Sequence, residues 1–354
     1  LTPYDWLEPF NWWGWSNPIS GYGIVNLEYA TALERLTGKV SYGWERKEHI
    51  LPKNFEQLIQ EQKDILTKPY IKSSLGIIKT IPQLFYMNKS DFRIGYTMVE
   101  NTKIGKRWVE YCNQMDALFV PSKFLIDVFS SCGVRKPIKV VKQGINQKKF
   151  PYYKRTKKNK FIFGTVGYMD DRKNWQDMVS AFGSEFDNNE PVELWIKNNN
   201  GYFINTRFDD LRIKVINRIY SFEEIQRLYR LFDCYLCPSH AEGSSLTPRE
   251  AMATGLPTIL TNWSGMTEIC NPQFNYPLTP IAINVPDIRG PEQPGFMAQI
   301  DISELMYWMR YVYEHWEKAM EKGKKASEYI HKEWNWDTCA IDLLTKVKEL
   351  KEGK

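Results

Sequence analysis

The stretch "HAEGSSLTPRE" (240–250) sets two glutamates, Glu242 and Glu250, with seven mostly small or hydroxylated residues between them. An apolar, strand-like run, "DCYLCPS" (233–239), precedes it, and "EAMATGLP" (250–257) follows, where Gly255 and Pro257 stop a short helical pattern. Thr247 is predicted as N-cap, with Pro248 at the first helical position and Glu250 at the third. The chain thus passes from a strand through a small-residue loop into a helix N-terminus, whose unpaired N–H groups and partial positive charge suit a phosphate. Thr247 and Glu250 also fit a capping box, in which Glu250 would only close its own helix. The position favours a ligand role, because doubly wound sheets bind ligands outside the carboxyl ends of their strands.

Outward from this stretch, β-branched or aromatic runs alternate with helix-periodic segments, the pattern of βα repeats building parallel sheets. Strands are predicted at 92–99, 116–122, 138–144, 161–167, 192–197, 213–217, 233–239 and 257–261. "SFEEIQRLYRLF" (221–232) is predicted as a helix, with Ser221 and Glu224 as a capping box and Phe222, Ile225, Leu228 and Leu231 on one face. Residues 303–316 and 336–350 read as a terminal helical layer. Residues 37–90 carry no clear pattern.

At 354 residues the chain exceeds one ordinary hydrophobic core, so two domains and a cleft between them are expected. "NQKKFPYYKRTKKNK" (146–160) interrupts the alternation with charge and a proline. It divides the chain into residues 1–152, 153–332 and a final helical segment, 333–354.

A net charge of +5, from 47 Lys plus Arg against 42 Asp plus Glu, is spread along the chain and has no concentrated nucleic-acid tail. The basic cluster at 152–160 reads as a solvated linker, with at most peripheral membrane contact. The six cysteines lack the density of a disulfide framework, so reduced thiols and a cytoplasmic setting are expected. No apolar run approaches the ~20 residues needed to span a bilayer.

The "PSHAEGSSLTPREAMATGLPTI" stretch resembles the GT-B glycosyltransferases, most closely glycosyltransferase family 4, whose hallmark is Glu, seven residues, Glu, and then an "EAMA-x-G-x-P" helix. "SGYGIVNLEYATAL" (20–33), "VPSKFLIDVFSSCGV" (120–134), "VVKQGINQKKF" (140–150) and "GTVGYMDDRKNWQDMVSAF" (164–182) resemble family stretches in the same order, so the likeness covers most of 18–270.

The resemblance implies an α/β GT-B fold: two Rossmann-like doubly wound domains facing a central cleft, with C-terminal helices, the last packing back toward the first domain. It implies a retaining hexosyltransferase that takes a UDP- or GDP-sugar and passes the hexose to a hydroxyl acceptor such as a glycan or lipid. Glu250 would hold the ribose hydroxyls, Glu242 would face the donor sugar, and the amides of Ser244, Ser245 and Leu246 would hold the diphosphate. Arg218 and Ile219 would border the base. Gly21 and Gly23 would let backbone approach the donor, since glycine tolerates dihedrals that a Cβ forbids.

Two departures from the family pattern stand out. Tyr168 replaces the usual Arg, so Lys173 is kept as the phosphate ligand and Arg172 is expected to supply the missing charge. Val99 and Glu100 stand where relatives place a His, which makes Glu100 a candidate sugar ligand. The sequence contains no Asp-x-Asp pair, so neither metal nor other cofactor is expected, and cations should neutralise the leaving group instead. The Trp-rich start, "WLEPFNWWGWSNP" (6–18), is a candidate acceptor surface, because indole stacks on sugar faces. Two alternatives remain: sugar transfer to a nucleic-acid base, and a GT-B module that binds nucleotide or glycan without catalysis.

Overall fold

A computed structural model describes residues 3–43, 55–199 and 208–353. The first half folds around a parallel sheet of β1 (Phe10–Gly14), β2 (Val40–Tyr42), β3 (Leu75–Lys79), β4 (Phe92–Tyr96), β5 (Ala117–Val120) and β6 (Ile138–Val140), in the order β2-β1-β3-β4-β5-β6. Helices α1 (Gly21–Thr37), α2 (Gln60–Thr67), α3 (Lys106–Asn113) and α4 (Phe124–Ser131) cover its faces. Side chains alternate along a strand, so Phe10 and Trp12 enter one core with Tyr29 and Leu75, whereas Trp13 enters the opposite core with Ile78 and Trp108. The Trp-rich start is therefore largely an inner strand of a sheet buried on both sides.

The second sheet comprises β7 (Phe161–Gly167), β8 (Val192–Asn198), β9 (Ile213–Ile216), β10 (Cys234–Cys237), β11 (Thr258–Thr261) and β12 (Tyr276–Leu278). Its order, β9-β8-β7-β10-β11-β12, is the doubly wound one, with direction reversing between β7 and β10. Helices α5 (Trp175–Glu185), α6 (Phe222–Leu231) and α7 (Leu246–Ala253) connect its strands. The capping box of α6 forms as read: Ser221 Oγ accepts from Glu224 N, and Ser221 N donates to the Glu224 carboxylate.

An antiparallel hairpin, β13 (Pro280–Pro286) and β14 (Phe296–Ile300), leaves the second sheet and reaches the first domain. There Thr102 N donates to Phe296 O (3.1 Å), Gly105 N to Glu292 O (3.0 Å) and Asn101 Nδ2 to Asp287 Oδ2 (2.7 Å). Helices α8 (Ile302–Glu314) and α9 (Trp316–Glu333) follow, and α10 (Trp336–Glu352) buries Trp336, Cys339, Leu343 and Val347 in the first domain's core.

All eight strands read from the sequence exist, some a few residues shorter. β1, β2, β3, β12 and the hairpin were not legible, since their short runs lack flanking βα punctuation. All six cysteines are free thiols. Among the described residues, no helix is long and apolar enough to cross a membrane.

The start of α7 differs from the sequence reading. Its N-cap is Ser245, at φ 46°, so Thr247 and Pro248 lie inside the first turn and Glu250 at the fifth helical position. The capping box cannot form there; Thr247 Oγ1 instead accepts from the Tyr235 hydroxyl (2.8 Å). Pro248 is tolerated because the first turn asks nothing of its missing N–H.

Candidate functional site

The reversal point of the second sheet builds the centre of the site. The loop after β7 carries Arg172 and Lys173, and the loop after β10 carries Glu242. Lys173 Nζ lies 2.6 Å from Glu242 Oε1, and Arg172 Nη1 lies 2.8 Å from Oε2. Burial alone would raise the Glu242 carboxyl, but the Arg172 and Lys173 charges override it and hold it down at about 2. Glu242 is therefore ionised at neutral pH. Each cation keeps donors to spare, since an ammonium has three and a guanidinium five. Arg172 Nη1 also donates to Ala241 O (2.7 Å), while Nε has no hydrogen-bond partner, the Asp170 carboxylate standing 3.8 Å away.

A second loop fixes Glu242 from below. Ser264, at φ 52° after β11, accepts from Glu242 N and donates to Glu242 O through the same hydroxyl, both at 2.9 Å. Gly265 N donates to Glu242 O (2.8 Å), and a Cβ on Gly265 would sit 2.1 Å from Gly243 O, so only glycine permits this approach.

Ser244, Ser245 and Leu246 enter α7, whose N-cap makes no side-chain hydrogen bond, leaving the first-turn amides without an acceptor inside the helix. Ser244 is held by Arg249, which donates to its carbonyl (3.1 Å) and hydroxyl (2.9 Å).

Glu250 is buried at the other end of this loop and accepts from the Tyr229 hydroxyl at 2.8 Å. Burial pushes its carboxyl up to about 7, against the Tyr229 hydrogen bond and the Arg249 and Lys149 charges. Among the described residues nothing donates to its Oε1. The two glutamates of the motif are thus in opposite electrostatic states: one clamped by two cations, the other poised near neutrality.

The first domain closes over this centre. A Cβ on Gly243 would lie 3.0 Å from Met98 Sδ and 3.1 Å from Val99 O, and Ser122 Oγ donates to Gly243 O (3.3 Å). Val99 is core, whereas Glu100 turns to the cleft and pairs with Arg289 (2.8 Å) from the turn of the β13–β14 hairpin. Glu100 also acts electrostatically on Arg172, so the structure brings it to the charged centre. Arg289 was not legible in the sequence, because nothing in an unpatterned turn says that it will meet residues 189 positions earlier.

Gly21 and Gly23 open α1 after its N-cap Ser20, whose hydroxyl accepts from Gly23 N (3.1 Å). Neither has a positive φ, contrary to the expectation that special dihedrals demand glycine. Gly23 is required by contact instead, since a Cβ there would lie 1.8 Å from Asn17 O; at Gly21 it would meet nothing. Arg218 and Ile219 follow β9 and are exposed, with Arg218 paired to Glu224 and stacked on Tyr220. Tyr168 is half exposed.

Residues 160–284 match the model of the family described as Glycosyl transferases group 1. A sucrose-phosphate synthase from Thermosynechococcus elongatus superposes with a TM-score of 0.70 at 13% identity, over 98% of this chain and all of that one. Anabaena HepE in complex with UDP-glucose gives 0.68 at 11% identity, over 96% and 99%. "Uncharacterized protein 356" of Sulfolobus islandicus rod-shaped virus 1 is 24% identical over 198 residues, half of this chain and 53% of that protein. The chain has the GT-B fold, and within its second domain residues 160–284 match the glycosyl transferases group 1 family.

Proposed function

We propose that this protein is a retaining hexosyltransferase, family 4-like, that moves a hexose from a UDP- or GDP-sugar to a hydroxyl acceptor without a metal. The observation that carries the reading is the buried Arg172–Glu242–Lys173 cluster at the strand reversal, beside the uncapped N-terminus of α7. The diphosphate lies against the amides of Ser244, Ser245 and Leu246, with spare donors of Lys173 and Arg172 on its oxygens. Glu250 accepts from the ribose hydroxyls through Oε1, Arg218 and Ile219 border the base, and Glu242 and Glu100 face the sugar.

In the transfer, the bond from the anomeric carbon to the diphosphate oxygen breaks while the acceptor oxygen bonds to the same face of that carbon. The acceptor proton passes to a phosphate oxygen, so no strong protein base is needed. The two cations stabilise the charge that grows on the leaving group, the kind of preorganised stabilisation that contributes most in a desolvated site. Anabaena HepE was solved with UDP-glucose, which makes that donor the first to try.

The test is release of nucleoside diphosphate from UDP-glucose, UDP-N-acetylglucosamine and GDP-mannose by wild type, Glu242→Gln and Lys173→Ala, with folding checked by circular dichroism. Removing one preorganised charge should cost roughly 10²–10³-fold in rate. Unaltered turnover in both folded variants would overturn the reading.

A further inference from the structure

The first sheet reverses direction between β1 and β3, so a crevice opens at their carboxyl ends as it does in the second sheet. The β1–β3 register sets Gly14 opposite Lys79, which brings Trp15 and Lys79 to that crevice. Trp15 is the most exposed of the described tryptophans, at 40%, yet its backbone is fixed. Fully buried Asn26 donates Nδ2 to Trp15 O (3.1 Å) and Lys79 O (3.2 Å), and accepts from Trp12 Nε1 (3.2 Å).

Tyr22, in the first turn of α1, meets the Trp15 ring edge-on, with centroids 5.5 Å apart and planes at 71°. Lys79 Nζ lies 4.3 Å from the Tyr22 centroid and 5.4 Å from that of Tyr96. Among the described residues Lys79 has no carboxylate partner, so the two rings are its cation–π support. Burial first and then the Glu100 charge hold the Tyr22 hydroxyl above its ordinary value, with Arg289 acting against them, so the aromatic pair lies within electrostatic range of the Glu100–Arg289 pair.

We propose that Trp15 and Tyr22 form the acceptor subsite and that the acceptor is a saccharide, its ring stacked on the Trp15 indole. This rests on the transferase reading above. A pyranose offers an apolar face of C–H groups, which suits the electron-rich face of an indole, and a polar rim of hydroxyls that Glu100 can accept from. Binding to an indole already fixed by its backbone costs little further ordering. A nucleobase would also stack, but single-strand binders add a run of free cations for the phosphates. Here Arg289 is paired with Asp287 and Glu100, and Arg172 and Lys173 with Glu242.

The test labels the full chain with 5-fluorotryptophan and identifies the Trp15 fluorine signal by its loss in Trp15→Phe. Methyl glucoside, galactoside and mannoside, maltose, cellobiose, glycerol and oligo(dT) are titrated in turn, with stabilisation by UDP and GDP measured on the same samples. The expected result is a saturable shift of the Trp15 signal with at least one saccharide and none with glycerol. Tyr22→Ala should weaken that titration at least ~5-fold, because it removes the ring that meets the Trp15 indole edge-on, and Tyr22→Phe should restore it.

A Trp15 signal unmoved by every saccharide, in protein that UDP or GDP stabilises, overturns the inference. So does a salt-sensitive response to oligo(dT) alone. If neither nucleotide stabilises the protein, the donor reading falls instead, and the fluorine titration still decides the saccharide subsite.

Discussion

Lys173 Nζ and Glu242 Oε1, 69 residues apart in sequence, meet at 2.6 Å where the loops after β7 and β10 converge. With Arg172 on the other oxygen, one buried carboxylate balances two cations. The loss on substitution is therefore unequal. Glu242→Gln strands two buried charges and should destabilise by about 3–5 kcal/mol, whereas Lys173→Met leaves Arg172 paired and should cost less. Urea unfolding of both variants and of the double variant checks this: the double variant should be more stable than Glu242→Gln alone.

The same carboxylate predicts behaviour in acid. Its folded value, about 2, lies below the ordinary carboxylate value. Its contribution is therefore complete above pH 4.5 and is lost as pH falls toward 2. Glu242→Gln should remove that part of the acid transition, read by circular dichroism between pH 5 and pH 2.

Glu250 runs the other way. Burial raises it to about 7, so the folded state binds more protons than the unfolded between pH 4.5 and 7, and this group's contribution is lost as pH rises through 7. Ribose hydroxyls need the ionised form as acceptor. Affinity for UDP or GDP should therefore fall by up to about tenfold per unit below pH 7. Isothermal titration between pH 5.5 and 8.5 reads the slope, and Glu250→Gln should flatten it.

The glycine pair that opens α1 should separate cleanly. Gly23→Ala forces a Cβ against Asn17 O and should cost at least about 2 kcal/mol, as overpacking does. Gly21→Ala meets open space in a helical first turn and should be neutral or stabilising by up to about 1 kcal/mol. Thermal melts of the two variants decide it; equal losses would mean that contact is not what selects glycine.

Lys79 offers a further pH test. Burial lowers it to about 7, so the folded state binds fewer protons than the unfolded between pH 7 and about 10.5, and wild-type stability should rise with pH across that window. Lys79→Met should be the more stable protein at pH 6, by about 1–3 kcal/mol, with the gap narrowing toward pH 10. Melting temperatures measured at several pH values follow the gap.

The motif at 240–250, the eight strands β4 to β11 and the capped helix α6 were all readable in the sequence. Their signals are local: a strand-sized run, a cap three residues from its partner, a glycine and proline after a helix. Fold class follows from such signals because βα alternation admits few arrangements. The Trp-rich start could not be read as a strand, since a strand buried on both faces shows no alternation of polar and apolar residues. Of its four tryptophans, Trp15 is the most exposed.

Tertiary structure alone decided the electrostatics. Sequence says that Glu242 and Glu250 are carboxylates; it does not say that one lies against Arg172 and Lys173 while the other lies under Tyr229. Nor does it announce that Arg289 reaches Glu100, or that Ser245 rather than Thr247 caps α7. Those outcomes depend on contacts between segments tens to hundreds of residues apart, and on a positive φ that nothing in the serine itself demands. Local preference wrote the elements; long-range packing assigned their charges.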